Sequence, residues 1–62
     1  MNRLQKKRLS KNMSQAKLAT LAGVPVRTIQ HYEIGRRALM NASYITVKRL
    51  AVALNCDPED II

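Results

Sequence analysis

Phenylalanine and tryptophan are absent from this 62-residue chain, and two tyrosines are its whole aromatic content. A core must therefore be built from Leu, Ile, Val, Ala and Met. Recognition by stacking unpaired bases on aromatic platforms has little to work with. A single cysteine, Cys56, excludes an intrachain disulfide and any all-cysteine metal site. Its expected role is that of a small hydrophobe between the last two helices. One histidine and four acids leave no metal centre to build. Ser, His and acid positions fall in no spacing that pairs a nucleophile with a base, so neither an enzyme nor a cofactor is expected, and no small-molecule ligand is evident. No apolar run approaches the roughly 18 residues of a membrane span, and the charged N-terminus leads into no signal-like segment. The expectation is a soluble, cytoplasmic protein with no membrane partner.

Acidic residues are as scarce as aromatics, and their placement matters more than their number. Against eleven Lys and Arg stand four Asp and Glu, for a net charge of +7. Residues 1–32 hold seven of the cations (Arg3, Lys6, Lys7, Arg8, Lys11, Lys17 and Arg27) and no acid, while Asp57, Glu59 and Asp60 crowd the C-terminal end. A one-sided basic surface points to a polyanion, with nucleic acid first and an anionic membrane second; plain solubilising charge is the bland alternative. A chain of this size forms a single domain, 1–62, and buries only about 60% of its unfolded surface.

The apolar residues recur with a helical period. The reading gives five helices, at about 2–10, 14–22, 25–33, 43–54 and 58–62. The first starts at Met1 or Asn2, carries Leu4 and Leu9, and closes at Lys11-Asn12, where Asn accepts a left-handed position. Ser14 and Ser43 are placed as N-caps of the second and fourth, and Asp57 as cap of the fifth, with Pro58 at its first position. The fourth helix has an inward stripe of Tyr44, Val47, Leu50, Ala51 and Leu54, ends at Asn55, and Ile61 and Ile62 fold back on the core. Tyr32 and Tyr44 are both read as core or core-edge residues.

The stretch Ser14–Tyr32, SQAKLATLAGVPVRTIQHY, organises the rest. Leu18, Ala19 and Ala22 line one helix, Gly23 ends it, and Pro25 opens the next, whose inward face is Ile29 and Tyr32. Ala19 is small where two short helices must cross closely. A small residue, Gly four positions later, and Ile six positions after the Gly form the helix-turn-helix pattern.

On these residues the chain resembles the phage-repressor-like helix-turn-helix domains of Cro/C1 or Xre type, over nearly its whole length. The resemblance implies an all-α, compact, five-helix lambda-repressor-like bundle that binds double-stranded DNA in sequence-specific fashion as a transcriptional regulator. Its recognition helix, 25–33, would enter the major groove, and two copies would bind half-sites as a homodimer. The connection GRRALMNA is longer than is usual in the family and resembles a variant in which this stretch is partly helical, with Leu39 and Met40 as a single turn. Residues 34–45 and Ile61-Ile62 are two candidate dimer surfaces, with no choice between them.

By spacing, Pro25, Val26, Arg27 and His31 are exposed on the recognition helix, and the family pattern makes Val26, Arg27 and His31 the base readers. Arg27 can donate twice to guanine, Val26 can pack on a thymine methyl, and His31 can donate to a base or a phosphate. Gln15 occupies a position that in the resembling proteins bonds a backbone phosphate beside a helix N-terminus. Lys17, Thr28, Gln30, Arg36 and Arg37 are further candidates for the backbone. Glu33 is the sole acid before residue 57, and the natural partner for its charge is Arg8; the resemblance implies a partly buried Arg8–Glu33 bridge. From a different class comes the alternative of an antitoxin or protein-interaction module on the same scaffold.

Overall fold

In the computed structural model, residues 2–62 are described; the expected helix start at Met1 lies outside them. Four α-helices follow in order: α1 Arg3–Ser10, α2 Gln15–Ala22, α3 Val26–Glu33 and α4 Tyr44–Ala53. Single 3-10 turns occupy Leu39–Asn41 and Pro58–Asp60, and no strand occurs among the described residues.

Helices α1, α2 and α4 are each started by a short polar side chain close in sequence. The Asn2 side chain accepts from the Gln5 amide at 2.9 Å, Ser14 from the Lys17 amide at 3.0 Å, and Ser43 from the Thr46 amide at 3.2 Å. The stops are as local. Asn12 and Asn55 take φ of 57° and 53°, the left-handed region that Asn tolerates. Gly23, at φ 71°, closes α2 with its amide on the Ala19 carbonyl at 2.9 Å. A Cβ there would meet nothing within 4 Å, so backbone conformation alone selects glycine. Pro25 caps α3 from outside, and the helix begins at Val26, one residue later than the sequence suggests.

Helix α2 packs on α3 and on α4, while α1 lies against α3 and the Pro58–Asp60 turn. Leu4, Leu18, Ile29, Leu50 and Leu54 are essentially sealed from solvent. Each such side chain contributes about 1.5–3 kcal/mol relative to exposure. Ala19 and Ala22 are also buried, on the helix that α3 crosses. Cys56 is half-buried beside this core, and burial pushes its thiol up from the ordinary value. No helix is long and apolar enough to cross a membrane.

Three expectations are corrected. The fifth helix is a single 3-10 turn: the Ile61 amide reaches back three residues to Pro58 at 3.2 Å, and the chain turns inward to bury Ile61 at 2% exposure. Its neighbour Ile62 stays exposed. Tyr44 is 67% exposed, because it sits on the first turn of α4 before the helix meets the core at Val47; its ring lies 5.8 Å from the Lys48 ammonium. Leu9 is also exposed, because the inward position one turn after Leu4 is taken by Arg8.

Candidate nucleic-acid interface

Helix α3 has two unlike faces. Ile29 and Tyr32 point into the core, which holds the helix by its inner side. Val26, Arg27 and Gln30 are exposed on the outer side, and Thr28 and His31 are half-buried at its margins. Lys17 is exposed on the first turn of α2. Beyond α3, Gly35 at φ 79° turns the chain so that the amides of Arg36 and Arg37 both point at the His31 carbonyl, at 2.9 and 3.3 Å. Both arginines are thereby anchored over the last turn of α3. They line a cleft of about 520 Å³ with Tyr32, Ala38, Asn41, Ala42 and Ser43. Guanidinium, amide and hydroxyl donors on one wall suit an anionic oxygen.

Behind this surface lies a buried polar node. Arg8 donates from Nε to Glu33 Oε2 at 2.7 Å and from Nη2 to Glu33 Oε1 at 3.0 Å, and from Nη1 to the Met13 carbonyl at 2.7 Å. The side chains of the pair are 8% and 1% exposed. Hydrogen bonding to Glu33 raises the Arg8 guanidinium above its ordinary value, against the opposing effect of burial. Gln15 completes the node, its side-chain nitrogen donating to Glu33 Oε1 at 3.0 Å. One carboxylate thus joins α1, the start of α2 and the end of α3. No buried side-chain nitrogen or oxygen among the described residues lacks a partner.

For Gln15 this places one amide hydrogen on Glu33 and leaves the second free, where the sequence had pointed to a phosphate alone. The clue was in the chemistry: a carboxylate has about four acceptor sites, and one arginine fills two of them. Asn2, expected only as a possible start of the first helix, also has a tertiary role. Besides capping α1, it donates from Nδ2 to the Tyr32 carbonyl at 2.6 Å, tying the start of α1 to the end of α3.

The structure also divides the positive charge. Arg3, Lys6 and Lys7 on α1 line a groove with Glu59 and Asp60. Charge near α3 comes from Lys17, Arg27, Arg36 and Arg37, with the one acid of that region sequestered in the node. The acid-free N-terminal half is therefore not one continuous basic face. Among the described residues, no three His, Cys, Asp or Glu side chains gather as a metal site.

Comparison with known proteins agrees with this architecture. Residues 4–61 match the sequence model of the helix-turn-helix family. The restriction-modification controller protein C.AhdI from Aeromonas hydrophila superposes with a TM-score of 0.85 at 33% identity, over 97% of this chain and 86% of that one. The chain belongs to the helix-turn-helix family of Cro/C1-type DNA-binding transcription regulators.

Proposed function

We propose that this helix-turn-helix chain binds a specific double-stranded DNA sequence as a homodimer, with α3 of each copy in the major groove and 1–62 acting as one DNA-binding domain. The observation that carries the reading is the outer face of α3, where Arg27 is exposed with no acid beside it and the helix is held rigidly from behind by Ile29, Tyr32 and the Glu33 node. Arg27 is assigned to a guanine edge, Val26 to a thymine methyl, and His31 to a base or the adjoining phosphate. Lys17, Thr28, Gln30, Arg36 and Arg37 are assigned to the backbone on either side, and Gln15 to a phosphate through its second amide hydrogen. This is the work of a binding protein and calls on no cofactor.

The two candidate dimer surfaces adjoin in the fold. Met40, Ala42 and Tyr44 share a cleft of about 560 Å³ with Val47, Pro58 and Ile62. Met40, Tyr44 and Ile62 are all exposed there, an apolar cluster that a second copy would cover.

The test is selection from a randomised duplex pool by the wild-type chain across a salt series. One enriched motif is expected, with two half-sites. A dimer neutralising roughly 6–10 phosphates should lose about 10³–10⁵ in affinity between about 50 and 200 mM salt. Retention of the pool without enrichment would move the reading to the protein-interaction module.

A further inference from the structure

A second apolar surface is lined by residues other than those of the outer face of α3 and of the Met40–Tyr44–Ile62 cluster. Leu21, on the last turn of α2, and Ile45 and Val52, two turns apart on α4, are 51%, 63% and 69% exposed. Together with Ala22, Lys48 and Arg49 they line a groove of about 340 Å³ between the two helices. Lys48 and Arg49 stand between the two apolar side chains on α4, so that helix presents an apolar, basic, basic, apolar order to the groove. Among the described residues the Arg8–Glu33 pair is the ion pair formed, so neither Lys48 nor Arg49 has an acidic partner.

We infer that this groove docks an acidic amphipathic helix of another protein. The choice of occupant follows from chemistry. A nucleic-acid backbone would satisfy Lys48 and Arg49 but offers nothing to pack on Leu21, Ile45 and Val52, and its phosphates would lose water against an apolar wall. A purely apolar segment would strip water from two cations without pairing them. A helix with apolar residues at i, i+3, i+4 and i+7 and acids along one flank meets both requirements, and a channel between two helices is the shape that accepts it. No helix of a second copy supplies such a face, because the one acid in α1–α4 is the buried Glu33. The remaining acids lie in or beside the Pro58–Asp60 turn, where Glu59 and Asp60 face the cations of α1. The groove shares no residue with the proposed base readers or backbone contacts, and it borders the dimer cluster at Ile45, next to Tyr44 in sequence, and at Lys48, whose ammonium lies 5.8 Å from the Tyr44 ring. The inference does not depend on the DNA-binding proposal.

The test uses the full chain, isotope-labelled for NMR, titrated with a panel of synthetic helical peptides carrying Leu at i, i+3, i+4 and i+7 and Glu along one flank. Saturable shifts are expected at Leu21, Ala22, Ile45, Lys48, Arg49 and Val52, with none from the matched peptides in which Lys replaces Glu. Val52→Asp, a change at an exposed position, should weaken peptide binding about tenfold or more while leaving thermal unfolding and duplex binding unchanged. The double reversal Lys48→Glu with Arg49→Glu should switch preference to the Lys peptides. Four results would overturn the inference. These are no saturable shift from any Glu peptide, shifts centred on Met40, Tyr44 and Ile62 instead, concentration-dependent shifts of the groove without peptide, and displacement of bound peptide by a short duplex.

Discussion

Two arginines, Arg8 on α1 and Arg27 on α3, carry the same group into opposite surroundings. Arg8 is buried and spends three donors on Glu33 and the Met13 carbonyl, so its charge is invisible from outside. Arg27 is exposed and has no ion-pair partner among the described residues. The buried charge holds three helices in register but is useless to a ligand. The exposed one adds nothing to the fold and is free to recognise. A chain of net charge +7 can thus keep an acid on the same helix as Arg27. Glu33 is neutralised before any phosphate arrives, so it does not repel one.

The largest expected effect comes from stranding one half of the buried pair. Glu33→Ala should lose about 3–5 kcal/mol in urea unfolding, since Arg8 would be left desolvated and unpaired. Unchanged stability would mean that the pair is solvated in practice and the contrast with Arg27 is false. Replacing both partners by apolar residues of similar size, Arg8→Met with Glu33→Leu, should recover most of that loss, because the penalty belongs to the unpaired charge and not to the missing bridge.

Next in size, Arg27→Ala should cost about 1–3 kcal/mol in binding to the selected duplex, relax the preference at a single guanine, and leave the urea midpoint in place. Uniform weakening across all sequences would reassign Arg27 to the backbone. Gln15→Ala tests the residue between the two regions. Losing its hydrogen bond to Glu33 should lower stability by about 0.5–1.5 kcal/mol. Loss of duplex affinity at temperatures where the variant is fully folded would show that the second amide hydrogen also serves DNA. The smallest effect is assigned to Arg36→Ala, which should reduce the salt dependence of binding by about one phosphate contact without altering the motif.

The sequence made a large part of this legible, and the division follows physical range. Caps at Ser14 and Ser43, left-handed stops at Asn12, Gly23 and Asn55, and the lone turn at Leu39–Asn41 all depend on groups within about four positions of one another. The inner face of α3, Ile29 and Tyr32, followed from helical periodicity. Pairing of Arg8 with Glu33, 25 positions apart, was expected because an isolated acid in a basic region needs a partner and the family resemblance offered one. Periodicity failed at the helix ends. Tyr44 has the right spacing for the core, but spacing does not say where the core stops.

What the sequence by itself determined is four of the five helices read from it, the helix-turn-helix spacing, and the outward placement of Val26 and Arg27 on α3, because local hydrogen bonding and periodicity are properties of neighbouring residues. Tertiary structure alone decided three things. It brought the side-chain amide of Gln15 to Glu33 across 18 positions, and it set Arg3, Lys6 and Lys7 beside the C-terminal acids Glu59 and Asp60. It also set Met40 and Tyr44 beside Ile62 as one cluster, with the Leu21–Ile45–Val52 groove open as another. Each depends on how separate helices cross, and crossing is settled by the packing of Leu4, Leu18, Ile29, Leu50 and Leu54 into one shared core, a condition that no short stretch of the chain contains.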